Sequence, residues 1–383
     1  MPPLERYAQS KLDDLQRRNL RRALTDTLRE DGIWVERDGK RLLSFSCNDY
    51  LNLTQHPQVK RAAAAALERY GAGSGASRLV TGNHPLYAEL EGRLARIKGT
   101  EAAVVFGSGY LANAGIIPVL IGRDGLVVLD ELSHACIYAG AQLSRGKVMT
   151  FRHNDVAHAR ELLAAHRSEH DHALIVTDGV FSMDGDLAPL AGLDALAREH
   201  DAWLMSDDAH GLGVVGGGRG SSFAGGNHVD VPLQMGTLSK AAGAYGGYLC
   251  ASSPVVELMR NRARTLIYST GLPPAIVAAS IAALDVIERD PEYGALPVQK
   301  ARRFTRATNL PEAQSPIVPV VIGEEDDALA ASRYLADHGF LAAAIRPPTV
   351  PHGTARLRLT FTAQHPDEAI DRLAGLVREK ILQ

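Results

Sequence analysis

Between Glu101 and Ala251 short apolar runs alternate with longer stretches of helical periodicity, and nothing else in the chain restricts its fold as tightly. The runs occupy 102–106, 126–129, 147–151, 173–177, 202–205, 233–235 and 247–250. Each is too short for a stable helix and is dominated by Val, Leu, Ile and Ala. Segments 156–165 and 190–199 lie between them with apolar residues at helical spacing. Strands separated by helices predict an α/β fold with a mostly parallel sheet. In open sheets of that kind ligands bind outside the carboxyl ends of the strands. The residues just after each run are therefore where chemistry is expected.

Composition agrees with a soluble globular enzyme. Of 383 residues, 45% are hydrophobic and 22% charged, enough to bury a large core without staples. Lys and Arg number 41 against 44 Asp and Glu, a net charge of -3, so neither nucleic acid nor an anionic membrane is an expected partner. Cys47, Cys136 and Cys250 are odd in number, far apart and outside any CxxC. A disulfide framework and a zinc site are thus not expected, and a reducing compartment is. The N-terminal stretch through Arg22 lacks the apolar segment of a secretory signal. The longest uncharged stretch, from Ala241 to Val256, is broken by Gly and Pro and is too short to span a bilayer. The expected location is the cytoplasm.

Three regions are expected: an N-terminal helix and strand segment at 1–47, a large domain at 48–288, and a small α+β domain at 289–383. Leu12, Leu15, Leu20 and Leu24 predict an amphipathic helix near the start. Segments 32–37 and 42–45 predict two strands around the turn Asp38-Gly39. Pro291, Pro297 and Pro311 predict a less regular stretch after 289. Beyond it, 317–321 and 356–359 read as strands around a helix at 327–338.

The predicted strand ends carry a coherent set of residues. Gly107-Ser108-Gly109-Tyr110 follows the first run and opens a helix. Asp130, Ser133 and His134 follow the second. Asp178 through Gly185 follow the fourth, Asp207-Asp208-Ala209-His210 the fifth, and Thr237-Leu238-Ser239-Lys240 the sixth. Small residues at a helix start expose N–H groups to an anion. A carboxylate can hold a protonated ring nitrogen, an imidazole can stack on a ring, and a lysine can form a Schiff base. Together these are the requirements for holding pyridoxal phosphate. Taken singly each has a plainer explanation: a tight turn at Gly107, a surface lysine at 240, a helix cap at Asp207, a structural histidine at 134.

The sequence resembles the α-oxoamine synthases, pyridoxal-phosphate enzymes of the aspartate-aminotransferase-like fold (fold type I) that join an amino acid to an acyl thioester and lose carbon dioxide. The motifs are Asn48-Asp49-Tyr50-Leu51, Asp178 through Asp186, Asp207 through Gly211, and Tyr268-Ser269-Thr270. Within the family, Ile345 through Pro351 and Gly353 through Arg358 look most like the member that condenses L-alanine with a pimeloyl thioester in biotin synthesis. Sister enzymes use glycine or serine. The carrier of the acyl group, coenzyme A or an acyl carrier protein, is left open. The resemblance implies that Lys240 binds the cofactor aldehyde and removes the Cα proton, and that Asp207 pairs with the pyridine nitrogen. It implies that His210 and Ser182 lie near the phenolic oxygen, and that His134 stacks on the ring and polarises the acyl carbonyl. Gly109, Tyr110 and Thr237 would hold the phosphate, joined by Ser269 and Thr270 from a neighbouring subunit of a homodimer. Asn48 and Arg358 would grip the amino-acid carboxylate, with Arg356 a rival, and Arg22 and Thr349 would touch the acyl substrate. Where relatives have a Gly-rich setting, Lys240 is flanked by Leu238-Ser239 and Ala241-Ala242; small side chains are expected to suffice.

Three patterns are set aside. Gly211 through Gly216 matches GxGxxG, but Gly217, Gly218 and Gly220 follow, which cannot open the helix a dinucleotide site needs. His166, His170 and His172 lie at a charged helix end and read as solvated, so no metal site is expected. Asp184 and Asp186, around Gly185, read as fixing a turn.

Overall fold

A computed structural model describes residues 1–18 and 20–382, leaving out the side chains of Glu30 and Asp31. The N-terminal strands are β1 (Leu28–Asp31), β2 (Trp34–Arg37) and β3 (Lys40–Ser44). Asp38 and Gly39 join β2 to β3 with positive φ at both (51° and 70°), the geometry of a tight hairpin matched to strand twist. The N-terminal helix spans only Pro3–Arg17. Leu20 and Leu24 lie beyond it, Leu24 is fully exposed, and the helix buries no residue. The expected leucine face is therefore not packed on this chain.

The apolar runs form seven strands: β4 (Ala102–Phe106), β5 (Leu126–Asp130), β6 (Lys147–Phe151), β7 (Ala173–Asp178), β8 (Trp203–Asp207), β9 (Leu233–Thr237) and β10 (Gly247–Ala251). They make one sheet in the order β4-β10-β9-β8-β7-β5-β6. Only β10 runs antiparallel to its neighbours. β5 and β7 are buried on both faces, which is why they read as continuous apolar runs. Val127, Leu129, Leu174 and Val176 pack on one side with Ile116 of the helix Gly109–Leu120. Leu126, Val128, Ala173 and Ile175 pack on the other with Leu193 of the helix Leu190–Glu199. The period of two thus supplies both core layers.

The C-terminal strands are β11 (Ile317–Gly323), β12 (Phe340–Leu341), β13 (Ala343–Ile345) and β14 (Ala355–Thr360). A three-stranded sheet has the order β11-β14-β13, while β12 joins β3 as the last strand of the sheet β1-β2-β3-β12. Phe45 packs edge-on to Phe361, ring centroids 5.4 Å apart, and so ties the N-terminal strands to this core. The stretch expected to be irregular is the helix Pro291–Thr308. Pro291 stands at its start, where a missing N–H costs nothing, and Pro297 is carried inside it, with Ala301 and Phe304 buried. No helix among the described residues is long and apolar enough to cross a membrane.

Candidate active site

The parallel register lines up the carboxyl ends of the central strands. Asp178 stands beside Asp207, Asp207 beside Met235, and Gly247 beside both Phe106 and Thr237. Asp207 is 3% exposed. Its carboxylate accepts from Asn113 Nδ2 at 2.7 Å and from the Ala209 N–H at 3.0 Å. Among the described residues it forms no salt bridge. Burial raises its pKa, against the pull of these hydrogen bonds and of His134. Asp178 is raised for the same reason, with Asp207 as the next cause, and it accepts the His134 N–H at 2.9 Å.

Beside this pair the helix Gly109–Leu120 begins. Ser108 Oγ accepts the Leu111 N–H at 3.2 Å. A Cβ on Gly109 would stand 3.4 Å from the Thr237 Cβ, so glycine keeps the helix start open toward Thr237. Thr237 Oγ1 also meets Ser239 Oγ at 2.9 Å, a hydroxyl that sequence reasoning had passed over. Tyr110 presents a 55% exposed side chain at the same helix end.

Lys240 sits in a loop closed by the Leu238 N–H on Gly246 O and the Ala244 N–H on Leu238 O, each 2.9 Å. Ala241 and Ala242 are buried. Glycine is required further on, at Gly243: its φ is +63°, and a Cβ would meet Thr54 N at 2.5 Å. The Lys240 amine has no hydrogen-bonding partner among the described residues. Burial lowers its pKa, the Arg358 charge lowers it further, and Asp207 opposes both.

Tyr50 gathers a second group. Its hydroxyl is 2.7 Å from His210 Nδ1 and 3.3 Å from Asn48 Oδ1, and burial pushes its pKa up to about 12. His210 is held well below the usual imidazole range by burial and then by Lys240 and Arg358, so it is a neutral ring. Arg358 donates its Nε–H to the Ser182 carbonyl. Arg356 is spent on Asp184 and on the Met183 carbonyl, which leaves Arg358 as the guanidinium facing Lys240 and Tyr50. Asp184 thus anchors an arginine as well as bordering a turn.

A cleft of ≈ 680 Å³ has Arg22, His134, Ser182 and Thr349 on its walls, and it adjoins this centre through His134, whose N–H is held by Asp178, and Ser182, whose carbonyl is held by Arg358. Arg22 donates to Thr349 Oγ1 at 3.4 Å. Ser269 and Thr270 lie apart from it. They border a small pocket with Gly107 and Arg78, and Thr270 is exposed and bridged to Ser77. Another cavity, of ≈ 600 Å³ around Trp203, Leu233 and Ala251, sits at the opposite end of the sheet and holds none of the predicted site residues.

His153, which carried no signal in the sequence, ties two site loops together. Its Nδ1 is 3.1 Å from Asp130 and its Nε2 2.8 Å from Asp186, and its ring stands edge-on to Phe181 at 4.4 Å. Burial opposes its charge, but hydrogen bonds to both carboxylates and their fields outweigh it and push the pKa up to about 10. The folded pKa therefore exceeds the unfolded value of about 6.5. The stabilisation is complete below the unfolded pKa and is lost as pH rises through the folded one. His153→Gln is expected to destabilise the chain by on the order of 2–3 kcal/mol at mildly acidic pH, because Asp130 is left buried without its cation. Urea melts should show the deficit shrinking above the folded pKa; a deficit equal at both ends of the range contradicts the charged clamp.

The arrangement fits pyridoxal phosphate. Asp207 is a buried carboxylate lacking a cation, which a protonated ring nitrogen would supply. The open helix start at Gly109, with Thr237 and Ser239 beside it, offers N–H and hydroxyl donors to a phosphate. Lys240 is an unengaged amine between Asp207 and Arg358.

Comparisons with known proteins bear on the same point. Residues 40–377 match the family model of class I and II aminotransferases. An 8-amino-7-oxononanoate synthase of Methylocella silvestris is 68% identical over 90% of this chain and 98% of its own. A serine palmitoyltransferase of S. paucimobilis, solved with a bound pyridoxal phosphate–myriocin adduct, superposes with a TM-score of 0.92 at 29% identity, covering 99% of this chain and 98% of that one. An 8-amino-7-oxononanoate synthase structure from Francisella tularensis gives a TM-score of 0.77 at 25% identity, covering 89% and 98%. The chain therefore has the aminotransferase-type α/β fold and belongs to the class I and II aminotransferase family, within it to the pyridoxal-phosphate-dependent acyltransferases of the 8-amino-7-oxononanoate synthase family.

Proposed function

We propose that this enzyme condenses L-alanine with a pimeloyl thioester, giving 8-amino-7-oxononanoate, carbon dioxide and the free thiol carrier, as a step of biotin biosynthesis. The observation that carries this reading is the cleft that leads from Arg22 and Thr349, past His134, to Ser182 at the strand ends. Its walls at Ser182 and His134 are bonded to Arg358 and Asp178, so an acyl chain lying in it would sit beside the strand-end centre.

When bound, pyridoxal phosphate supplies an aldehyde for the amino group and a ring that accepts the electron pair left on the amino acid's Cα. Asp207 holds a proton on the ring nitrogen. Gly109, Tyr110 and Thr237 receive the phosphate, and Ser269 and Thr270 complete that grip across a homodimer. Arg358, with Asn48 close by on Tyr50, orients the alanine carboxylate by a planar grip that lysine cannot match. The Lys240 amine, its pKa lowered by burial and by Arg358, takes the Cα proton as a base. His210 and Ser182 would lie beside the phenolic oxygen. His134 donates to the acyl carbonyl oxygen as negative charge develops there, and Arg22 and Thr349 hold the acyl chain at the mouth.

Holoenzyme supplied with pimeloyl-CoA or pimeloyl-acyl carrier protein should release free thiol with L-alanine at least about tenfold faster than with glycine, the discrimination one methyl group allows. A glycine rate equal to or above that of alanine would replace this reading by a glycine-using synthase such as a 2-amino-3-ketobutyrate CoA ligase. No thiol with any amino acid would remove the acyl-transfer assignment.

A further inference from the structure

Behind His134 three side chains form a directed series. Asn113, on the helix Gly109–Leu120, is completely buried. Its Nδ2 is 2.7 Å from Asp207 Oδ2 and 3.0 Å from Cys136 Sγ. An ionised carboxylate only accepts, so the NH2 end of the amide must face Asp207. One of its hydrogens serves Asp207 and the other is left for the sulfur.

Cys136 Sγ lies 2.8 Å from His134 Nδ1, and the Cys136 N–H lies 3.2 Å from the same nitrogen. A backbone N–H is a donor only, so this longer contact favours, without by itself enforcing, an acceptor at Nδ1. Burial, and then the charge of Asp207, push the Cys136 thiol up to about 12. The sulfur therefore keeps its hydrogen and can donate it to Nδ1. With two donors on Nδ1, the neutral ring must carry its own hydrogen on Nε2. That nitrogen has no partner among the described residues, and His134 is exposed on the cleft wall.

We propose that Cys136, held by Asn113, is a positioning residue that fixes His134 in its Nε2–H tautomer and so aims a hydrogen-bond donor into the cleft. The use of that donor on an acyl carbonyl rests on the function proposed above; the tautomer does not. The opposite tautomer would turn a lone pair toward developing negative charge and stabilise nothing. Cys136→Ala removes one of the two donors that enforce the choice, and Cys136→Ser restores a hydroxyl in its place.

The test is the imidazole ¹⁵N spectrum of the ¹⁵N-histidine-labelled holoenzyme, with His134 assigned from the His134→Asn variant, read alongside kinetics. The wild type and Cys136→Ser should show His134 with a protonated Nε2 and a bare Nδ1. Cys136→Ala should show a mixture, with kcat lowered about 5- to 10-fold, the worth of one hydrogen bond, and the KM for the amino acid unchanged. Rescue of both readouts by serine is expected. A wild-type spectrum with hydrogen on Nδ1 overturns the proposal. So does a Cys136→Ala variant with wild-type spectrum and rate. If no thiol is released by any variant the acyl-transfer reading fails, and the spectra still decide the tautomer.

Discussion

Lys240→Ala is expected to abolish turnover and leave the fold intact. The substitution removes the amine that would bind the cofactor and the base that would take the Cα proton. Acid–base assistance alone accounts for about 10²–10⁴-fold, so the combined loss should exceed the upper end of that range in a thiol-release assay. The side chain holds no hydrogen bond among the described residues, and its loop is closed by backbone contacts at Leu238, Ala244 and Gly246. The melting temperature of the cofactor-free chain should therefore stay within about 3 °C of the wild type. An unfolded variant at assay temperature, or one with measurable turnover, contradicts this account.

The second large effect is expected at Asp207→Asn. The amide keeps nearly the same shape but cannot hold a proton on the ring nitrogen by charge. Removing a single preorganised electrostatic contact costs about 10²–10³ in rate, and exchange of the alanine Cα hydrogen for deuterium should slow by that much. Cofactor affinity, read by fluorescence titration, should fall by less than about tenfold, since the phosphate grip and Lys240 remain. Burial disfavours the Asp207 charge in the cofactor-free chain, which offsets part of the cost of the one donor, Asn113 Nδ2 or the Ala209 N–H, that the amide cannot accept. Near-normal exchange in this variant would eliminate the assigned role.

The strand ends could be read from the sequence because each apolar run stops where a chemically distinctive residue begins. Asp178, Asp207 and Thr237 owe their alignment to strand register, and β-strands buried on both faces announce themselves by continuous hydrophobicity. What escaped reading was the layer that acts through distant contacts. Asn113 looks like any polar residue in an apolar helix, and Tyr50 like part of a loop. Cys136 and His153 acquire meaning only when folding sets them against His134, Asp130 and Asp186. The helix Pro291–Thr308 was obscured because its prolines signal interruption, although one stands at the helix start. Leucines at 20 and 24 extended the helical spacing past Arg17, where the helix stops. Spacing alone cannot tell a packed face from a coincidence.

The pairing of β12 with β3, Phe340 against Leu43 and Leu341 against Ser44, also dictates an order of events during synthesis. β3 leaves the ribosome well before its edge partner β12, which lies beyond the whole central sheet in the chain. The central sheet, whose strands all lie between 102 and 251, can condense before then. Long-range pairing of this kind is slow to close, so the amino-terminal hairpin should be the last piece to settle and the first part of the newborn chain to need shielding from its neighbours.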